Sequence, residues 1–311
     1  EKRVQSNKFT CNLDPIYVVA PNYSDLPIGQ YWGTNYLNLV AARGCYYGRC
    51  SFCAIPYGWG ENGYTGTRSA LRVYEDMVQL YRSHGVSRFK FIDEALSPAF
   101  MRQLSEIIVR RNTKFEWEGY TRLEQAWIDP KFVSLVAKAG FQKGYFGLEL
   151  YPSNKRNLLN KNDMAKPELL LKICHDNGIR VHFFCMFGYP GTGWAEAECT
   201  ADFVLRNKSK IDTVDIFPWG LAKHTSVPGV EPVMHAGEDW SLEFKYRPLF
   251  KGILDTDEVQ KLAFHFEDMI WDECPRFLHP TYRLVSPWLA NMEAESVETT
   301  SSKITQYAAN C

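Results

Sequence analysis

The chain has 311 residues, 45% of them apolar, with 35 Lys and Arg against 36 Asp and Glu for a formal net charge of -1. This length predicts one large domain with a sizeable core, and the charge balance excludes a general electrostatic pull toward nucleic acid or an anionic membrane. No apolar run approaches the ~18 residues of a membrane span, and the polar opening Glu1-Lys2-Arg3-Val4-Gln5 shows no signal peptide.

Glu1 in place of Met leaves room for sequence upstream. Residues 1–35 carry Pro, Asn, Tyr and Gly with little periodicity and are expected to form an irregular lead-in. Strand-like runs then recur at Tyr36–Ala42, Phe89–Asp93, Phe115–Tyr120, Gly144–Leu150, Arg180–Phe187 and Thr213–Phe217. Apolar faces at helical spacing fall between them, carried by Leu71 to Tyr81, Met101 to Ile108, Phe132 to Val136, Leu169 to Cys174 and Phe203 to Leu205. Gly85, Gly140 and Gly178 stand where a glycine ends a helix. Pro98, Pro130 and Pro167 stand where a proline starts one. Such alternation predicts an α/β fold with a parallel sheet, either open and doubly wound or curled into a barrel. Beyond Pro218 the pattern breaks into Pro-Gly turns around Val227–Pro232, one helix at Asp257–Asp272, the aromatic anchors Trp271, Phe277, Tyr282 and Trp288, and a Ser/Thr/Glu-rich tail at Glu293–Lys303. The expected organisation is a lead-in over 1–35, a core over 36–220, and an extension with a mobile tail over 221–311, packed on the sheet and not a second domain.

After the first strand come three cysteines within nine residues, Cys45, Cys50 and Cys53. Thiolates are soft ligands that select zinc or iron–sulfur clusters, and three of them hold three corners of a cubane while the fourth stays open. The Cys-x4-Cys-x2-Cys spacing also opens plant-type ferredoxins, so an iron–sulfur electron carrier or redox sensor is the alternative. That alternative needs a fourth cysteine, and the next is Cys174 on a predicted helix. A zinc site needs a histidine, and His84 and His175 also fall on helices. The other six cysteines, Cys11, Cys174, Cys185, Cys199, Cys274 and Cys311, lack pairing rhythm, which suits a reducing, cytoplasmic setting.

The stretch Arg43-Gly-Cys-Tyr-Tyr-Gly-Arg-Cys-Ser-Phe-Cys53 resembles the cluster loop of radical S-adenosylmethionine (radical SAM) enzymes, with Phe52 at the aromatic position. Those loops usually read Cys-x3-Cys-x-aromatic-Cys. The four residues between Cys45 and Cys50 look like a subgroup of cobalamin-type members. Phe91-Ile-Asp-Glu-Ala-Leu-Ser-Pro98, Gly147-Leu-Glu149 and Phe187-Gly-Tyr-Pro-Gly191 are similar to the family's second-, fourth- and fifth-strand motifs. The resemblance covers about residues 15–220. It implies a partial (β/α)6 TIM-like barrel, a 4Fe-4S cluster on Cys45, Cys50 and Cys53, and bound S-adenosylmethionine. It also implies reductive cleavage to a 5′-deoxyadenosyl radical that abstracts hydrogen from a substrate.

In a βα barrel the functional groups gather after the C-terminal strand ends, which places Asp93, Glu94, Arg122, Glu149 and the Gly188–Gly191 turn on one rim with the cysteines. Asp93, Glu94 and Glu149 are candidates to accept hydrogen bonds from the ammonium of S-adenosylmethionine, and Arg122 to pair with its carboxylate. Bland alternatives stand beside each: helix capping for Asp93 and Glu94, an ion pair with Lys143 or Lys161 for Glu149, and one with Glu118 or Glu124 for Arg122. Gly188 is a candidate for close backbone approach to adenine, or simply part of a tight turn. Tyr46 and Tyr47 guard the cluster or pack. Tyr57, Trp59 and Tyr64, beside Gly58, Gly60 and Gly63, form an aromatic flap or pack on the surface. Arg68 reaches a ligand or sits at the surface of a helix start. His182 and Cys185, on the fifth strand, point into the barrel or fill the core, and Tyr151 and Trp219 lie just past strand ends; none is assigned a role.

No His has an Asp two residues before it, so the Asp-x-His-x-x-Gly signature of base-off cobalamin binding is missing from this chain. Cobalamin therefore stays open as a third cofactor, with C-methylation or modification of a peptide or natural product as the candidate reactions. An open-sided barrel suits a small-molecule or peptide substrate, and the chemistry implies an external flavodoxin- or ferredoxin-like electron donor.

Overall fold

The computed structural model describes residues 21–28, 36–58, 64–151, 158–161, 165–233 and 243–277. In chain order the elements are β1 (Leu37–Leu39), β2 (Ala42–Gly44), α1 (Ile55–Gly58), β3 (Tyr64–Thr67), α2 (Ala70–His84), β4 (Arg88–Phe91), α3 (Pro98–Arg111), β5 (Glu116–Thr121), α4 (Pro130–Lys138), β6 (Phe141–Glu149), α5 (Pro167–Asp176), β7 (Arg180–Phe187), α6 (Trp194–Arg206), β8 (Thr213–Pro218), β9 (Leu221–Ala222), β10 (Val230–Val233), β11 (Glu243–Pro248) and α7 (Thr256–Glu273).

Six strands form one sheet in the order β1-β4-β5-β6-β7-β8, every pairing parallel. Spatial order follows chain order without reversal. A doubly wound sheet would reverse at a switch point. Instead the chain winds one way, as a partial TIM-like barrel of six βα units. Alternate positions send Phe89, Phe91, Trp117, Phe146 and Phe183 into the buried core. Lys90, Glu118, Tyr120, Tyr145, His182 and Phe184 contact one another on the opposite face.

Local chemistry sets the helix ends. Ser69 and Ser97 accept from the N–H of Arg72 and Phe100, and Asp129 accepts from Lys131. Helices α3, α4 and α5 begin on Pro98, Pro130 and Pro167. Gly85, Gly140 and Gly178 all take positive φ, and at Gly140 a Cβ would lie 1.9 Å from the Phe115 carbonyl oxygen. Helix α3 ends instead on Asn112 in the left-handed region, a role its short polar side chain tolerates.

Several boundaries differ from expectation. The first predicted strand splits: after β1, residues 42–44 turn away to pair antiparallel with β3, which contains Tyr64. Strand β6 starts at Phe141, three residues before the predicted Gly144. The region beyond Pro218 contains an unexpected three-stranded antiparallel sheet, β10-β11-β9. Helix α7 closely matches the predicted helix; Asp255 and Glu258 cap it reciprocally, and Val259, Leu262, Ala263, Phe266 and Ile270 bury its inner face. Phe277 is fully buried and Trp271 packs against the core, whereas Tyr282, Trp288, the 293–303 tail and most of the 1–35 lead-in lie outside the described residues.

Candidate active site

One cavity of about 170 Å³ opens at the C-terminal strand ends and is lined by Cys45, Cys50, Cys53, Glu94, Arg122 and Glu149, with Lys161 beside them. The cysteines come from the loop after β2, Glu94, Arg122 and Glu149 from the ends of β4, β5 and β6, and Lys161 from the segment 158–161, so the parallel sheet gathers residues more than a hundred positions apart. Tyr120, Tyr145 and Phe184 form another part of the wall.

The cysteine loop is laced to the chain 158–161. Ser51 N–H donates to Leu159 O at 3.1 Å and its hydroxyl to Leu158 O at 3.1 Å. Asn160 Nδ2 donates to Arg49 O at 2.7 Å, and Tyr47 Oη to Asn160 O at 2.6 Å. Tyr189, from the glycine turn after β7, sits 2.8 Å from the Ser51 hydroxyl. Sequence reasoning missed Ser51, Asn160 and Tyr189 in this role. The two partner segments have no periodic signal joining them.

Charge around the thiols is mixed. Burial pushes Cys50 up to about 11, opposed first by the pull of Lys161, and also raises Cys53. Arg122 stacks 3.5 Å from the Tyr47 ring centroid and lies 3.6 Å from Glu124, which also accepts from the Tyr46 hydroxyl. Tyr46 and Tyr47 thus hold the arginine's surroundings. Glu149 takes φ 59° at the end of β6 and pairs with Lys161 at 2.6 Å, while Lys143 turns to Asp212 at 2.6 Å. Gly147 makes room for that pair, since a Cβ there would lie 2.3 Å from Glu149 Oε1. Glu94 lines the cavity and accepts from Gly44 N–H at 3.0 Å.

Three candidates are placed elsewhere. Asp93 is 1% exposed, absent from the cavity wall, and accepts from the N–H groups of Ala41 and Ala42 at 3.0 and 2.5 Å. It ties β4 to the chain after β1 and caps no helix, a task Ser97 performs. Gly188 is also absent from the wall: its φ is 82°, as a tight turn requires, and a Cβ would lie 2.5 Å from Val259 Cγ2, so the missing side chain makes room for α7. Phe52 packs against the core and does not line the cavity.

Arg68 takes neither expected role; it is buried, bonded to Asp76 and to Val40 O. Tyr57 is exposed against His224, and Trp59, Gly60 and Gly63 lie outside the described residues. His182 and Cys185 are buried, the former 2.7 Å from Thr213 Oγ1. Tyr151 stacks on Phe203, and Trp219 packs between Tyr189 and Tyr246. Among the described cysteines, Cys174, Cys185 and Cys274 are buried and Cys199 is exposed, and none lines the cavity. His84 and His175 are absent from its wall as well. Cys11 and Cys311 lie outside the described residues.

No family model matches the chain. The structure superposes on the radical SAM methyltransferase TsrM of Kitasatospora setae, solved with cobalamin and a [4Fe-4S] cluster, with TM-score 0.55 and 17% identity over 73% of this chain and 52% of that one. The chain carries the radical SAM fold. A second radical SAM neighbour is the cobalamin-dependent enzyme OxsB bound to aqua-cobalamin and S-adenosylmethionine, with TM-score 0.53 and 14% identity over 88% of this chain and 53% of that one. In sequence, 137 residues are 26% identical to the anaerobic magnesium-protoporphyrin IX monomethyl ester cyclase of Synechocystis, covering 43% of this chain and 27% of the relative. The chain thus spans about half the length of the two radical SAM neighbours and about a quarter of the curated relative. No described helix is long and apolar enough to cross a membrane.

Proposed function

We propose that this chain is the catalytic core of a radical SAM enzyme, with Cys45, Cys50 and Cys53 holding a 4Fe-4S cluster. The observation that carries this is the convergence of all three thiols, two carboxylates and three cations on one cavity at the C-terminal rim of the sheet. Among the described residues no three donors are grouped around a single ion, but the donor chemistry suits a cluster: the Cys50 and Cys53 thiols, raised by burial, lose their protons when a metal supplies the counter-charge, and Arg49, Arg122 and Lys161 offset the remaining negative charge. When bound and reduced, such a cluster supplies the electron that cleaves S-adenosylmethionine.

The protein's part is binding and orientation. Glu94 is assigned to the ligand's ammonium and Arg122 to its carboxylate, by a charge-assisted, two-pronged contact. Tyr47 stacks under the guanidinium and restricts its rotation. Glu149, with Lys161 at its side, closes the same wall. No described cysteine or histidine beyond the three reaches the cavity, which favours this assignment over a four-cysteine electron carrier. The fold neighbours support cobalamin as a partner cofactor; transfer chemistry on a small molecule or peptide, driven by an external flavodoxin- or ferredoxin-like donor, completes the proposal.

The test replaces Cys50 with Ala, reconstitutes both proteins anaerobically with iron and sulfide, and measures 5′-deoxyadenosine after adding reductant and S-adenosylmethionine. The parent chain is expected to form it and Cys50→Ala to form none. Equal product from the two sinks the assignment.

A further inference from the structure

The cavity has two chemically different ends. Beside the cysteines its wall is charged, and Gly147 borders that part, since a Cβ there would meet Glu149 Oε1 and Lys161 Nζ, whereas elsewhere it is made of the rings of Tyr120, Tyr145 and Phe184. Those rings are nearly parallel: Tyr120 and Phe184 are inclined by 10° with centroids 5.9 Å apart, and Tyr120 and Tyr145 by 28° at 4.9 Å. Tyr145 and Gly147 occupy successive positions on the same face of β6, and the residue opposite Gly147 on β7 is Phe184. Phe217 of β8 extends the row, 6.1 Å from Phe184, and stays 47% exposed.

The inside of a closed barrel is normally a packed core. Here the inner face instead displays aromatic surface to the cavity and to solvent. The charges next to that surface are already matched. Lys90 lies 3.5 Å from Glu118 and over the Tyr145 ring, and Lys143 lies 2.6 Å from Asp212. Recognition at this end therefore falls to ring faces, which favour a flat π-system through stacking geometry that a puckered ring cannot reproduce.

We propose that the Tyr120–Tyr145–Phe184–Phe217 row is the substrate platform, and that it takes a small molecule presenting a planar aromatic ring system. The inference deepens the radical SAM assignment by naming the substrate class, and it rests on that assignment for what happens to the bound molecule. Binding itself is separable, because the platform is built without the cysteines.

The test uses the full chain without S-adenosylmethionine and measures equilibrium binding of 2-naphthol and of its saturated counterpart decahydro-2-naphthol. The planar compound is expected to bind at least ~10-fold more tightly, and Phe217→Ala to weaken it by roughly three- to tenfold with little effect on the saturated one. Phe217 is half-exposed, so its removal leaves the core intact; Phe184→Leu, which keeps bulk and removes the ring, gives the same test at the cavity wall. Equal binding of the two compounds, or unchanged binding in both variants, overturns the proposal. Selective binding of 2-naphthol by a chain that forms no 5′-deoxyadenosine would instead overturn the radical SAM assignment and leave the platform standing.

Discussion

Lys161 lies in a stretch without hydrophobic period, yet its ammonium bonds Glu149 at 2.6 Å and Gly147 O at 2.9 Å where both charged side chains are at most one-tenth exposed. Removing one partner of such a pair leaves the other buried and unpaired, at a cost of about 3–5 kcal/mol. Lys161→Met is therefore expected to lower the urea midpoint by that equivalent, and a loss below ~1 kcal/mol would show that Glu149 finds water instead. Asp93 makes a second residue-scale case. Burial raises its carboxyl from the ordinary 3.8 to about 7, although the Ala41 and Ala42 N–H groups oppose the rise. Between those values the folded chain binds more protons than the unfolded one. The contribution of Asp93 to stability is thus fully present below pH 3.8 and declines as pH climbs to about 7. Three pH units at ~1.4 kcal/mol each give about 4 kcal/mol. Asp93→Asn removes the titration, so urea unfolding at pH 4.5 and 7.5 should show a steeper loss in the parent than in the variant. Parallel profiles would contradict the buried-acid account. The Lys161–Glu149 pair was one of the options the sequence offered for Glu149, whereas the anchoring role of Asp93 was not legible, because it meets chain some fifty positions away.

At the scale of elements, much of the barrel could be read in advance. Its strands carry β-branched and aromatic runs long enough to override ambiguity, and Pro98, Pro130, Pro167, Gly85, Gly140 and Gly178 punctuate the helices by fixed backbone preference. The short strands β9, β10 and β11 escaped because Pro232 and Pro248 sit within or at the end of them and disguise an alternation such as Glu243-Phe-Lys-Tyr-Arg247 as a turn. The glycine turn after β7 was recognised as a motif, but the packing of Val259 against Gly188 was not, since a sequence does not show which element fills the space a missing Cβ leaves. Gly188→Ala should therefore strain a φ of 82° and drive a methyl into Val259, destabilising the fold by at least ~1–3 kcal/mol. Adding Val259→Ala should recover part of that loss, which a double-mutant cycle measures as coupling. Strict additivity would mean that Gly188 does not seat α7.

Across the whole molecule, the open question is whether the chain beyond residue 220 is an accessory or part of the fold. Leu221, Val227, Val230, Tyr246, Val259, Leu262, Phe266, Ile270 and Phe277 belong to the same continuous core cluster as the barrel strands and helices. Helix α7 alone buries five side chains, including Phe266 against Phe187 of β7 and Trp194 of α6. Burial of one large apolar side chain is worth about 1.5–3 kcal/mol, so the face of α7 carries a stabilisation comparable with the about 5–15 kcal/mol that separates a whole domain from its unfolded state. A chain cut after Pro218 would also leave β8 with its outer side chains Val214 and Ile216 bare beside Phe187. The truncated protein is expected to lose its cooperative thermal transition and to bind a hydrophobic dye, while retaining helical circular dichroism. A sharp transition at the parent's midpoint would instead make the six βα units an autonomous domain and reduce β9 to α7 to an attachment. The cysteine loop shares that dependence, because its anchor Ser51 is held by Tyr189, and Tyr189 packs on Trp219 and through it on Tyr246 of β11. Loss of the extension should thus loosen the cysteine loop even in molecules whose sheet survives, so that, on the proposed cluster assignment, iron incorporation per chain falls together with the thermal transition.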